Sequence, residues 1–409
     1  MALNYIWISF FIISFIVALI KLILLGDFEV FPNLMNSAFS MAKTGFELSL
    51  GLTGVLTLWM GFMKVGEKGG MINILSKIVG PFLQKIFPDI PKNHPAFGSM
   101  LLNVTATMLG LDNAATPAGL KAMEQLQEIN NDKTKASNAM IMFLVIVTSG
   151  LMLIPINIMI YRAQLGSKNP ADIFIPVLLS TFTACFAGVL LVSIIQKINL
   201  FNFMVLSYIL SFIAIIAIIV YFVINLPPEK VSKISSLAAN FMLFTILILF
   251  ILLALIKKVN IYDTFIEGAK EGFNVAVKII PFLIAMLVAI GVLRASGVMD
   301  YLIQGLTYCF SLFNIDTEFV KALPTALMKP LSGSGARGMM IETMKTYGAD
   351  SFAGRLSCVF QGATDTTFYI IALYFGSVGI KNTRYAILVG LFTDFVGMFA
   401  AVMFSYLFF

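Results

Sequence analysis

Gly110-Leu-Asp-Asn-Ala-Ala-Thr-Pro117 and Lys329-Pro-Leu-Ser-Gly-Ser-Gly-Ala-Arg-Gly338 are two polar stretches bearing glycine and proline, set at matching places in the halves of a strongly apolar chain. Lipid cannot satisfy an irregular backbone, so breaks of this kind persist at membrane depth only where protein or a polar cavity surrounds them. Two of them, symmetrically placed, are what a transporter uses to hold its substrate.

The surrounding composition sets the class. Hydrophobic residues make up 59% of the chain and charged ones only 12%, and several apolar runs approach the length that crosses a bilayer. The expectation is an all-α polytopic membrane protein with nine spans near 5–24, 48–63, 139–160, 173–195, 203–224, 237–256, 275–293, 356–375 and 386–408, plus two re-entrant hairpins built on the breaks. The first span has no basic region before it and no small-residue cleavage site after it, so it reads as retained. The net charge of +6, from 27 basic and 21 acidic side chains, sits mostly in loops and segment ends. That favours contact with lipid headgroups and excludes nucleic acid as a partner. Cys185, Cys309 and Cys358 are scattered through apolar sequence and read as small packed hydrophobes.

The chain repeats itself. Ala42-Lys-Thr-Gly-Phe46 and Ala269-Lys-Glu-Gly-Phe273 open the halves, Gly70-Met71 and Gly297-Val298 follow the first span of each, and Tyr161-x4-Gly166-x-Lys168-Asn169 is echoed by Tyr374-x4-Gly379-x-Lys381-Asn382. Their shared order is the signal. Five crossings lie between Phe46 and Phe273 if each hairpin returns to its own side, and an odd number inverts the second half relative to the first. Two inverted repeats with substrate held between the hairpin tips near the midplane is the resulting plan. The alternative is that both breaks are ordinary, weakly hydrophobic spans or surface helices.

At the first break, Phe97–Met108 reads as a half-helix carrying Asn103, Thr105 and Thr107. Asp112, Asn113 and Thr116 then offer polar groups, with Thr116 as N-cap and Pro117 as the first residue of a second half-helix. At the second break Pro324 and Pro330 interrupt the incoming half-helix. Gly333, Gly335 and Gly338 there are read as residues chosen for backbone freedom, and Ser332, Gly333, Ser334 and Gly335 as a nest of donors flanked by Lys329 and Arg337. Each cation contacts substrate, pairs with a carboxylate such as Glu342 or snorkels to the interface.

Gln361-Gly-Ala-Thr-Asp-Thr-Thr367 is a polar run inside what reads as a spanning helix. Asp365 is its charged centre, with Thr364 and Thr366 as companions. A carboxylate there needs a proton, a cation or a basic partner, which makes the group a candidate site for a coupling H+ or Na+. The competing reading is a structural pair with Arg337 or Arg355. Asp394 in the last span is a second such acid, without polar neighbours in sequence, and Val147-Thr148-Ser149-Gly150 is the uncharged counterpart in the first half. The single histidine, His94, lies in a loop and reads as solvated, so no His-based catalytic or metal cluster can be assembled. The chain is not read as an enzyme, and no cofactor is expected beyond a coupling ion.

These motifs, with Gln361–Tyr369 and Tyr374–Lys381, resemble the spore maturation proteins A and B of the gate, or nucleoside-recognition, domain group. The A-like part covers 1–200 and the B-like part 235–409, with 201–234 a linking transmembrane helix. The resemblance implies a plan similar to concentrative nucleoside transporters, whose paired hairpins bind substrate, and an association with spore-core dehydration. The resulting expectation is a secondary transporter or translocator of a small polar solute, anionic or nucleoside-like, in the bacterial cytoplasmic membrane. Asn103, Asp112, Asn113, Thr116, Lys329, Ser332, Gly333, Ser334, Gly335, Arg337 and Gln361 are its solute-binding candidates. The rival expectation is a scaffold or regulator of envelope or spore maturation, and a homo-oligomer is compatible with either.

Overall fold

The computed structural model describes the backbone of residues 2–91, 94–199, 202–225 and 228–409, and their side chains except at 2, 3, 112–114, 204, 212, 224, 228, 229, 231 and 232. The chain is an all-α polytopic membrane protein. Its first helices are α1 (Ala2–Leu25), α2 (Val30–Gly69), α3 (Met71–Ile86), α4 (Pro95–Met108), α5 (Asp112–Glu128), α6 (Asn138–Thr148), α7 (Ile156–Gln164) and α8 (Phe174–Gln196). There follow α9 (Phe203–Ile224), α10 (Pro228–Ile256), α11 (Ile261–Ala295), α12 (Val298–Ser311), a 3-10 turn (Glu318–Ala322), α13 (Leu323–Met328), α14 (Gly333–Tyr347), α15 (Phe352–Ala363), α16 (Thr367–Ser377) and α17 (Ala386–Phe408).

Among the described residues, 7 helices are long and apolar enough to cross a bilayer: α1, α2, α8, α9, α10, α11 and α17. The two remaining runs predicted as continuous spans are each broken. Residues 139–160 divide into α6 and α7 around 149–155, and 356–375 divide into α15 and α16 around 364–366. Leu151-Met-Leu-Ile154 keeps the first interruption apolar, so hydropathy passes over it, whereas the second, Thr364-Asp-Thr366, is the polar run that was read as lying within a helix.

Eight helices on each side of α9 run in the same order: a peripheral helix, a long helix, a short amphipathic one, a helical hairpin, a broken pair and a final span. The sequence landmarks of the repeat prove to be its corners. Gly70 and Gly297, both at φ 89°, end the long helices in the left-handed region that side chains resist. Gly166 (φ 80°) and Gly379 (φ 71°) end α7 and α16 in the same way, with Ser167 N–H donating to Arg162 O at 3.0 Å and Ile380 N–H to Phe375 O at 3.0 Å.

The chain condenses into two compact units that interleave along the sequence: Met1–Met60, Asn157–Pro170 and Ala269–Gln361 in one, Gly61–Ile156, Ala171–Gly268 and Gly362–Phe409 in the other. In the first, α2 and α11 pack antiparallel through glycines. A Cβ on Gly45 would lie 2.9 Å from Ile284 Cγ1, on Gly272 2.7 Å from Leu56 O, and on Gly291 2.4 Å from Met41 Cγ. Small residues let helix backbones approach where lipid offers no hydrophobic drive to association. In the second unit, α8 and α17 do the same, Gly188 against Thr393 and Gly397 against Ala184. Both pairs join equivalent helices of the two repeats, and equivalent helices that run antiparallel are the mark of inverted repeats.

Around α8 and α17 the second unit builds its core on α6, whose residues Ala139 to Thr148 are all buried, packed by α4, α5 and α16. The first unit has smaller cores, one of Met286, Ile290, Met328, Ala336 and Met339, another of Ala18, Val30, Leu34 and Val292.

Candidate functional site

In the second unit, α4 and α5 form the first hairpin. Its turn closes on Gly110 (φ 71°), with Gly110 N–H donating to Thr107 O at 2.9 Å and Leu111 N–H to Ala106 O at 2.8 Å. This closure satisfies the end of α4 and lets α5 begin at once. The predicted start at Thr116 and Pro117 is therefore corrected. The N-cap position is Leu111, Ala115 N–H donates to Leu111 O at 2.9 Å, and Thr116 and Pro117 lie inside the helix. Proline there supplies no N–H to the carbonyl one turn back, that of Asn113. Asp112 and Asn113 occupy the first turn, and their side chains lie outside the described residues.

Asn103, buried on α4, ties the hairpin together. Its Nδ2 donates to Ala115 O at 2.7 Å and to Tyr374 Oη at 3.2 Å, while its Oδ1 finds no partner. Gly119 makes room for that junction, because a Cβ there would stand 2.2 Å from Tyr374 Oη. Tyr374 was visible in sequence as an echo of Tyr161 and as the start of the family-like run Tyr374–Lys381. Its role as the hairpin's contact on α16 had no local signal. His94, read as solvated, caps α4 through Nδ1, which accepts from Ala96 N–H at 3.3 Å.

The same unit holds a crossing of interrupted helices. Asp365 lies not within a helix, as predicted, but in the break between α15 and α16, where its N–H donates to Thr148 O at 2.8 Å. Gly150 lies against it so closely that a Cβ would be 2.9 Å from Asp365 N. Thr181 of α8 donates to Ser149 O at 3.1 Å and Gly150 O at 3.0 Å, holding the other break open. The half-buried Asp365 carboxylate accepts Thr366 N–H at 2.7 Å, and among the described residues of its unit no basic side chain pairs with it. Unwound carbonyls and hydroxyls gathered around a carboxylate are hard oxygen donors, suited to a cation or proton.

In the first unit, α13 and α14 form the second hairpin. The break is shorter than predicted, because α14 begins at Gly333 and the irregular part ends at Ser332. Ser332 is the N-cap, its Oγ accepting Gly335 N–H at 3.0 Å and lying 3.3 Å from Ser334 Oγ. Gly335 and Gly338 are helical, so backbone freedom is not their reason. They provide clearance: a Cβ would meet Met328 Cε at 2.2 Å and Ile290 Cδ1 at 2.7 Å. Lys329 is buried and donates to Gln361 O at 2.8 Å, and Gln361 Nε2 reaches Gly333 O at 3.4 Å while its Oε1 has no partner. Lys329, Ser332, Gly333, Ser334 and Gln361 thus come together. Arg337 turns instead over the Tyr161 ring of α7, 5.8 Å from its centroid. Glu342, the carboxylate weighed as a partner for Lys329 or Arg337, is buried and ion-paired with Arg294 of α11, where Nη2 lies 2.9 Å from Oε2.

Each broken helix is anchored by a polar clamp beyond its glycine. In the first unit, fully buried Arg162 donates to Ala349 O at 2.7 Å, Ser167 Oγ at 3.0 Å and Asp350 Oδ1 at 3.0 Å, and Lys168 N–H donates to Asp350 Oδ2 at 2.9 Å. Burial alone would raise the Asp350 carboxyl. The Ser167 and Lys168 hydrogen bonds and the Arg162 and Arg355 charges outweigh that and hold it below its ordinary range. In the second unit, Lys381 and Asn382 N–H donate to Thr134 O at 2.9 and 3.0 Å, and Arg384 Nη1 donates to Asn138 Oδ1 at 2.9 Å.

Helical hairpins and broken helices in a repeated order of elements, among helices long and apolar enough to span a bilayer, define a polytopic all-α membrane protein. The family model described as Gate, nucleoside recognition, matches residues 49–168 and 276–381, more than half of the chain and the stretch of each repeat that carries its hairpin and broken pair. The chain belongs to this Gate (nucleoside recognition) family. It is 38% identical over 188 residues to spore maturation protein A of Bacillus subtilis (strain 168), covering 46% of this chain and 92% of that protein. It is 46% identical over 158 residues to spore maturation protein B of the same organism, covering 39% of this chain and 87% of that protein. No solved structure matches the chain.

Proposed function

We propose that this protein is a secondary transporter of a small polar solute, nucleoside-like or anionic, in the bacterial cytoplasmic membrane, with spore or envelope maturation as its setting. The observation that carries this reading is the meeting of the two helix breaks at Gly150 and Asp365, where an acid sits among unwound backbone of a membrane protein. The protein itself satisfies the Thr148, Ser149 and Gly150 carbonyls, but a carboxylate at membrane depth costs free energy unless a proton or cation neutralises it, which a purely structural assembly has little use for. Asp365 couples transport to H+ or Na+, with Thr364 and Thr366 beside it. The hairpins provide the solute-binding groups: Asn103, Asp112, Asn113 and Thr116 on the first, Lys329, Ser332, Gly333, Ser334, Gly335 and Arg337 on the second, with Gln361 beside them.

The test is uptake by proteoliposomes of a panel of labelled nucleosides and small organic anions under imposed Na+ or H+ gradients. Wild type accumulates at least one solute against its gradient, and Asp365→Asn binds that solute without accumulating it, because the amide is nearly isosteric but carries no charge. Absence of gradient-driven uptake across the panel would sink the proposal and leave a maturation scaffold as the better account, and undiminished accumulation by Asp365→Asn would remove Asp365 as the coupling group.

A further inference from the structure

The outgoing arm of the second hairpin is closed everywhere except at its start. From Ser332 to Met344 only Gly333, Ser334 and Arg337 are not buried. Residues three and four apart share one face of a helix, so these three form a single opening at the first turn of α14. A helix leaves its first N–H groups without carbonyl partners. Ser332 meets two of them, its Oγ accepting Gly335 N–H at 3.0 Å and its O accepting Ala336 N–H at 2.9 Å. The N–H groups of Gly333 and Ser334 are left over, with the partial positive charge of the helix end behind them.

One turn along, Arg337 lies over the Tyr161 ring, and among the described residues no carboxylate pairs with it, since Glu342 of the same helix is taken by Arg294. A ring behind a guanidinium steadies its plane and leaves the fork of N–H donors available in front. Arg337 stands ten residues from the end of α14 at Tyr347. At 1.5 Å per residue that is roughly 15 Å, half of a hydrocarbon core about 30 Å thick. A cation at such a depth calls for an anion. The last group is an acceptor. Gln361, 8% exposed, donates Nε2 to Gly333 O at 3.4 Å while its Oε1 has no partner. Both atoms belong to one amide, so Oε1 lies at the same helix start. An anion without a donor of its own would meet this oxygen lone pair to lone pair, whereas an anion carrying an N–H or O–H would satisfy it.

We infer that the second hairpin recognises a small carboxylate with a hydroxyl or ammonium group beside it, an α-hydroxy or α-amino acid, and not a neutral nucleoside. The carboxylate takes the N–H groups of Gly333 and Ser334 and the planar fork of Arg337, whose geometry matches two carboxylate oxygens. The neighbouring donor takes Gln361 Oε1. This rests on the reading of the hairpins as the solute site and narrows it from nucleoside-like or anionic solutes to one class. Every group involved belongs to one compact unit, within Asn157–Pro170 and Ala269–Gln361.

The experiment is thermal unfolding of the purified full chain in detergent at constant ionic strength, titrated with matched pairs: lactate against propionate, malate against succinate, and glycine against acetate, with uridine and inorganic phosphate beside them. A ligand that binds only the folded state raises the midpoint saturably. In at least one pair the hydroxy or amino acid does so, and the partner lacking the donor needs about tenfold more. Arg337→Gln raises the half-saturating concentration about tenfold or more, and Lys321→Ala leaves it unchanged. Gln361→Met brings the two members of the pair together, a loss of selectivity that a general weakening of the fold would not produce. No response to the three acids, a response no greater than that of their partners, or uridine or phosphate acting in their place would overturn the inference. Uptake is read separately. An acid that binds in this way but is not accumulated by proteoliposomes upholds the site and removes transport, while a nucleoside accumulated with no acid bound upholds transport and removes the site.

Discussion

Asp350→Asn probes the clamp that fixes α7, and its cost can be worked from the geometry. The asparagine oxygen can still accept from Arg162 and Ser167, but the charge opposite a fully buried guanidinium is lost, as is the Lys168 N–H bond to Oδ2 at 2.9 Å. Removing one partner of a fully buried pair costs about 3–5 kcal/mol. The Asp350 side chain is 29% exposed, so water screens part of this and the expected loss is about 2 kcal/mol. That lowers the unfolding midpoint by several degrees at neutral pH. The dependence on pH has a definite sign. The folded carboxyl titrates below its unfolded value of about 3.9, so its stabilisation is complete above that value and disappears as pH falls through the depressed folded pKa. Midpoints of wild type and variant, followed by scanning fluorimetry in detergent, should differ at pH 7 and converge in acid. A gap that is absent at pH 7, or that persists undiminished into strong acid, would refute the clamp as an energetic anchor.

Gly119→Ala should destabilise by about 1–3 kcal/mol by overpacking against Tyr374 and Asn103, whereas Gly98→Ala, in an open helical position on α4, should be neutral or stabilising by up to about 1 kcal/mol; thermal midpoints of the two, if alike, would contradict the crowding at Gly119. Tyr374→Phe removes the Oη that accepts from Asn103 and should cost about 1 kcal/mol and speed proteolysis in the hairpin turn near Gly110, read by limited digestion and mass spectrometry. Arg337→Ala should weaken binding of any solute the panel identifies more than Lys321→Ala does, because Lys321 is a half-exposed partner of Glu318 and such surface pairs contribute under about 1 kcal/mol; equal losses in calorimetry would argue against Arg337 as a solute contact.

The membrane class and the repeat were open to a reader of the sequence because they rest on bulk hydropathy and on glycines with fixed conformational duties. Gly70 and Gly166 in one repeat and Gly297 and Gly379 in the other all take positive φ for that reason. The interior of the breaks was less legible. Thr116 and Pro117 make a sound local helix start, but the glycine closure at Gly110 returns the chain to helical geometry five residues sooner, and tertiary closure outranks local preference. Gly335 and Gly338 looked like turn residues, yet their purpose is the Met328 and Ile290 side chains pressed against them, which no local pattern reveals. The Arg162 clamp and the approach of Gln361 to Gly333 depend on residues far apart in the chain, and a single sequence carries no record of which distant residues meet.

The interleaving of the two compact units bears on how the chain can be divided. A cut in the flank of α9 looks like a clean separation of two repeats. It would nevertheless take Asn157–Pro170 away from the unit that also needs Ala269–Gln361, and Gly362–Phe409 away from the unit built on Gly61–Ile156. Each half would be born with its clamp loop and hairpin answering to residues on the other polypeptide. Two such fragments would draw on each other for these contacts, and covalent fusion through α9 supplies both in equal amounts in every molecule made.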